Sequence, residues 1–65
     1  MQKYTQYKRL REQAGLSVKQ VMEALHVSDA AVYFWETGAY TPSVKKLPAL
    51  AQLYGCTVDD LLRKE

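Results

Sequence analysis

The sequence predicts an all-α fold, a compact bundle of five short helices forming a single domain over residues 1–65. Three observations carry that expectation. Turn-forming residues punctuate the chain at Gly15, 26–28, 38–43 and 55–57. Between these points the apolar residues recur at helical spacing. No segment alternates apolar and polar residues convincingly with period two, so no strand competes for any stretch.

Tyr4, Tyr7, Leu10 and Ala14 step along one face of a first helix, which Gly15 ends. Ser17 suits the N-cap of a second helix, in which Val18, Val21, Met22 and Leu25 share a face. Ser28 caps a third, with Asp29 in its first turn, where the positive end of the helix dipole favours an acid. That helix buries Ala31, Val32 and Trp35, and Gly38 stops it. Ser43 caps a fourth helix containing Val44, Leu47, Leu50, Ala51 and Tyr54, closed by Gly55. Pro48 would then lie beyond the first turn, where proline is tolerated, so this helix either opens with a distorted turn or starts near Lys46. Thr57 caps a fifth, with Asp59 and Asp60 early, Val58, Leu61 and Leu62 on one side, and Arg63 and Lys64 at its tail.

Composition narrows the functional classes. A chain of 65 residues has room for one small core and no separate ligand-binding module. Hydrophobic residues at 48% and charged residues at 25% match an ordinary globular chain rather than a disordered one. The longest apolar run, residues 30–35, falls far short of the roughly 20 residues of a membrane-spanning helix. No apolar stretch follows Lys3 near the start, so no secretory leader is expected and the reducing cytoplasm is the expected location. Cys56 is the single cysteine and His26 the single histidine, too few for an internal disulfide or a four-ligand zinc site. Cys56 reads as a small core hydrophobe and His26 as a turn residue. With no glycine-rich phosphate loop, no acid pair in an evident pocket and no Ser-His-Asp set, neither enzymatic activity nor a cofactor nor a small-molecule ligand is expected. Such a module works through its surface.

The net charge of +2 is unevenly spread. Lys3, Lys8, Arg9, Arg11 and Lys19 outweigh Glu12 in residues 1–19, whereas residues 20–44 carry Glu23, Asp29 and Glu36 and no cation. Lys45, Lys46, Arg63 and Lys64 slightly outnumber Asp59, Asp60 and Glu65 in the remainder. Most of these charges simply solvate helix faces. Positive ends around a cation-free middle also suit a surface that grips phosphates from its flanks.

The second and third helices are separated by residues 26–28 alone. So short a link prevents them from lying antiparallel along their length, and they must cross steeply, with Val27 plugging the corner. That arrangement is a helix-turn-helix, whose second helix can enter a major groove about 12 Å wide while the first lies over the phosphate backbone.

The segments Leu10-Arg11, Ala14-Gly15-Leu16-Ser17, Val27-Ser28 and Trp35-Glu36-Thr37-Gly38 follow one another at characteristic separations. Thr41-Pro42-Ser43, Leu50-Ala51 and the stretch from Tyr54-Gly55 through Cys56-Thr57-Val58-Asp59-Asp60-Leu61-Leu62 continue the pattern. In this order they resemble the lambda-repressor-like family, the Cro/Xre type of helix-turn-helix domain, over nearly the whole chain. The resemblance implies a five-helix bundle that binds specific duplex DNA, commonly as a two-fold dimer on a pseudo-palindromic operator. It also implies an ion pair between Arg11 and Glu36 that orients the third helix. Three positions depart from the family pattern. Met22 stands where a small residue usually allows close helix approach, His26 where a turn glycine is frequent, and Val18 where a phosphate-binding Gln is common.

Carried over position by position, the resemblance makes Ser28, Asp29, Ala30, Tyr33, Phe34 and Thr37 the outward face of the third helix. Ala30 suits a thymine methyl, Asp29 the N4 amine of cytosine, and Tyr33 a base edge or a phosphate. Phe34 can make only apolar contacts, with thymine methyls the natural target. Ser28 and Thr37 suit phosphate oxygens, and Tyr40, Lys45 and Lys19 flank the groove. This assigns the chain as a small transcriptional regulator, a repressor, working as a dimer. The alternative is a protein partner for the exposed Tyr33–Phe34 pair, as in an antitoxin or a repressor antagonist. No membrane contact is expected.

Overall fold

The computed structural model describes residues 4–63. Its elements are α1 (Gln6–Gln13), α2 (Val18–Leu25), α3 (Asp29–Thr37), a 3-10 turn (Val44–Lys46), α4 (Leu47–Tyr54) and α5 (Val58–Leu62). There is no strand among the described residues, and the bundle is all-α. Lys3 and Lys64, counted among the flanking charges, lie outside the described residues.

Caps set most boundaries as expected. Ser17, Ser28 and Thr57 occupy the N-caps of α2, α3 and α5, each accepting a backbone N–H from the first turn. Such a bond satisfies one of the orphan donors every helix start leaves. Two caps are reciprocal, because the Gln20 and Asp60 side chains accept the amides of Ser17 and Thr57 in return.

α1 departs from the expected start. Tyr4 lies outside the helix and is exposed, and Ala14 at the other end is exposed too. Thr5 is the N-cap, its hydroxyl oxygen accepting the Tyr7 amide at 3.3 Å. The Thr5 amide donates to the Glu36 carbonyl at 2.7 Å, so the chain is tethered to the end of α3 before it turns into a helix. The inner face of α1 is therefore Gln6, Tyr7 and Leu10. Buried Gln6 donates its side-chain amide to the Leu61 carbonyl at 2.6 Å and closes α1 onto α5.

Pro48 resolves the fourth helix. α4 begins at Leu47, with Pro48 in its first turn, and residues 44–46 form the 3-10 turn ahead of it. A regular helix reaching back to Ser43 would drive the proline ring into the carbonyl of Val44. Ser43 accordingly makes no side-chain cap bond, and Val44 is exposed rather than part of a buried face.

α5 also corrects the expected apolar side. Leu61 is fully buried and Val58 half-buried, while Leu62 is 57% exposed. Neighbouring helical residues point about 100° apart, and that offset carries Leu62 off the inner face that Leu61 occupies. At the centre lie Val21, Val32, Leu50 and Leu61, enclosed by Tyr7, Leu10, Trp35, Leu47, Ala51 and Tyr54. Met22, Val27 and Cys56 fill in around them, half-buried. Burial pushes the Cys56 thiol above its ordinary pKa, as suits a packing residue.

Candidate nucleic-acid interface

The turn between α2 and α3 depends on His26, which adopts the left-handed conformation at φ 57° and ψ 48°. This reverses the chain directly after Leu25 and lets the Val27 amide donate to the Met22 carbonyl at 3.1 Å. α3 then restarts at once behind its Ser28 cap.

The inner face of α3 is fastened along its length. Val32 and Trp35 sit in the core, and Glu36, only 2% exposed, is buried beside them. Arg11 Nε donates to Glu36 Oε2 at 2.6 Å, and Arg11 Nη2 to Oε1 at 3.2 Å. The Thr5 hydroxyl donates to the Trp35 carbonyl at 2.8 Å and ties down the final turn. Held from behind, α3 presents Tyr33 (51% exposed) and Phe34 (42%) to solvent.

All nine residues read as groove- or phosphate-facing are exposed: Lys19, Ser28, Asp29, Ala30, Tyr33, Phe34, Thr37, Tyr40 and Lys45. Six of them lie along α3 and its cap. Tyr40 joins them through the turn after Gly38: its amide donates to the Phe34 carbonyl at 3.2 Å. Its ring meets that of Phe34 edge-on, with centroids 5.0 Å apart and planes at 78°. Lys19 stands in the first turn of α2 and Lys45 in the 3-10 turn, each outside α3.

Much of the polar capacity of α3 is spent on its own backbone. Ser28 Oγ accepts the Ala31 amide at 3.2 Å, and Asp29 Oδ1 accepts the Ala30 amide at 2.8 Å. The Thr37 hydroxyl donates to the Tyr33 carbonyl at 2.9 Å, so a bond to a phosphate requires it to turn. No Lys or Arg occurs in α3. Across the cap of α2, the reciprocal bonds with Gln20 use the amides of Ser17 and Gln20 and leave those of Val18 and Lys19 outside the capping box.

Sequence reasoning passed over Thr5, Gln6 and Gln20. Gln20 carries a local signal, since a Ser with a Gln three residues later is a capping-box pattern. Gln6 carries none, because a glutamine beside the apolar stripe reads as surface.

Residues 6–63 match the helix-turn-helix domain family. The chain belongs to that family. Its kind is the Xre-like, DNA-binding one, and curated relatives agree. This helix-turn-helix domain is 34% identical over 56 residues to the HTH-type transcriptional activator BcrR of Enterococcus faecalis, an alignment covering 86% of the chain and 28% of that protein. It is 40% identical over 53 residues to the HTH-type transcriptional regulator DdrOP3 of Deinococcus deserti, covering 82% of the chain and 41% of that protein. The domain thus spans less than half the length of either relative. Among its described residues, no helix is long and apolar enough to cross a membrane, and no group of three or more His, Cys, Asp or Glu is placed to hold a metal ion.

Proposed function

We propose that this domain binds duplex DNA sequence-specifically and regulates transcription, with α3 in the major groove. The observation that carries the proposal is the one-sided fastening of α3, which leaves a continuous face from Ser28 to Thr37 in solvent. Asp29 keeps Oδ2 for the N4 amine of a cytosine, and Tyr33 offers a hydroxyl to a base edge or phosphate. Lys19 and Lys45 hold phosphates on the two sides, helped by Ser28, Thr37, Tyr40 and the first-turn amides of α2.

So few cations give one copy little grip. Two copies on half-sites about 34 Å apart, on a pseudo-palindromic operator, supply the affinity that one lacks. Repression is the proposed outcome, since an occupied operator excludes competing proteins. Titration of duplexes selected from a random pool, at several salt concentrations, tests this. Expected is an enriched palindrome and a log–log salt slope near −0.9 for each neutralised phosphate. A shallow slope with no preferred sequence overturns it.

A specific observation favours a second reading, a protein partner. A groove of about 420 Å³, lined by Tyr4, Tyr7, Trp35, Tyr40 and Leu62 among others, extends the aromatic surface away from α3. The variants Lys45→Ala and Phe34→Ala separate the readings. DNA binding requires the lysine change to weaken all duplexes alike; a protein-only module has no DNA affinity to lose, while Phe34 still matters to its partner.

A further inference from the structure

We infer that Phe34 and Tyr40 together form a reader of the thymine C5-methyl group, with Tyr40 as the residue that positions the Phe34 ring. This reader presupposes the DNA binding proposed above and specifies how bases are told apart.

The floor of the major groove offers hydrogen-bonding edges and one apolar feature, the thymine methyl. The exposed face of α3 is poorly stocked for the edges. It has no guanidinium or ammonium group, and its one exposed charge, Asp29, already accepts an amide through one oxygen. Thr37 spends its proton on the Tyr33 carbonyl, so the hydroxyls of Tyr33 and of Ser28, whose oxygen accepts the Ala31 amide while its proton stays available, are the side-chain donors left along the helix. What projects besides is apolar: Ala30, the Phe34 ring and the ring of Tyr40, which is 65% exposed. A face of this kind discriminates by shape and by burying a methyl group.

The two rings are also pre-set. Their edge-to-face contact matches the positive edge of one ring to the negative face of the other. The Phe34 carbonyl receives the amides of Gly38 at 3.1 Å and Tyr40 at 3.2 Å, which pins the Tyr40 backbone against the end of α3. A perpendicular pair leaves a re-entrant corner between its two surfaces, the right shape for a protruding methyl. Because exposed rings held in place have little freedom left to lose, the methyl contact is realised nearly in full on binding.

Replacing thymine by deoxyuridine removes that methyl and changes no hydrogen-bonding edge. With the chain intact and a duplex selected from a random pool, each thymine is replaced in turn and affinity measured. At a thymine facing Phe34 the expected loss is roughly fourfold, the worth of one buried methyl. In Tyr40→Ala the ratio of thymine to uracil affinity falls toward one at that position, whatever happens to overall affinity, and Tyr40→Phe restores it because the ring and not the hydroxyl does the positioning. A selected site at which no uracil weakens binding overturns the reader, as does a Tyr40→Ala protein that keeps the full ratio. A pool that yields no enriched sequence overturns the DNA-binding reading and the reader with it.

Discussion

Arg11 grips Glu36 across the α1–α3 interface with two parallel contacts, Nε to Oε2 at 2.6 Å and Nη2 to Oε1 at 3.2 Å. The remaining nitrogen, Nη1, donates to the Leu16 carbonyl at 2.8 Å, so the guanidinium also holds the turn between α1 and α2. One side chain thereby sets the position of both helices that flank the tight turn. The hydrogen bond to Glu36 raises the Arg11 pKa further above its already high ordinary value, so the pair stays charged wherever the carboxylate does.

Breaking this pair from one side is expected to be costly. Arg11→Met leaves a carboxylate buried without its counter-charge, a loss of about 3–5 kcal/mol, which rivals the whole stability of so small a domain. Arg11→Met combined with Glu36→Leu removes both charges and is expected to recover most of that loss. Urea unfolding of the two proteins decides the matter; equal stabilities would show that the buried charge is not what costs.

His26 and Gly38 make a contrasting pair, since both adopt left-handed backbone, at φ 57° and φ 86°. His26→Gly relieves strain at the turn and is expected to stabilise the domain by up to about 1 kcal/mol. Gly38→Ala introduces the same strain and is expected to cost about 1–2 kcal/mol. A methyl at Gly38 would lie 3.4 Å from Thr5 Cγ2, an ordinary contact, so the cost is conformational rather than steric. Thermal melts should move in opposite directions.

The Tyr54 hydroxyl is buried with no hydrogen-bond partner among the described residues, and burial holds its pKa far above the usual phenol value. Tyr54→Phe removes a desolvated polar group at almost no change in shape. The expected result is a melting temperature equal to or above the parent's, by up to about 1 kcal/mol of stability. A marked drop would reveal a partner for that oxygen.

Asp60 accepts the Thr57 amide at 3.1 Å, and that bond holds its carboxyl below the ordinary pKa. Folding therefore favours the ionised form. The contribution is complete above the unfolded carboxyl's pKa, near 4, and disappears as pH falls through the lower folded value. Asp60→Asn lacks this acid-labile part, so the stability gap between parent and variant should narrow as pH drops from about 5 toward 2. Chemical denaturation across that range checks it; a gap independent of pH would refute the assignment.

The caps and the inner stripe of the bundle were legible in the sequence. Ser17, Ser28 and Thr57 act on amides within the next turn, and Val21, Val32, Trp35 and Leu61 repeat at helical spacing, so everything needed to place them lies a few residues away. The nine candidate interface positions are exposed for the same local reason: they occupy helix faces or turns opposite that stripe. Leu62 misled, because hydrophobicity alone does not say which of two neighbouring apolar residues turns inward, and Val44 because Pro48 keeps the regular helix from reaching back to it.

Periodicity and capping thus determined, from the chain alone, that there are five helices and which face of most of them is buried. Tertiary structure alone decided that Thr5 anchors to Trp35, 30 residues on, that Gln6 bonds Leu61, 55 residues away, and that the Tyr40 ring closes on Phe34. The reason is physical. Helical rules are written in the backbone's own repeat of a few residues, whereas a polar side chain finds its partner only after burial brings distant carbonyls within reach, and nothing in the local sequence records that distance.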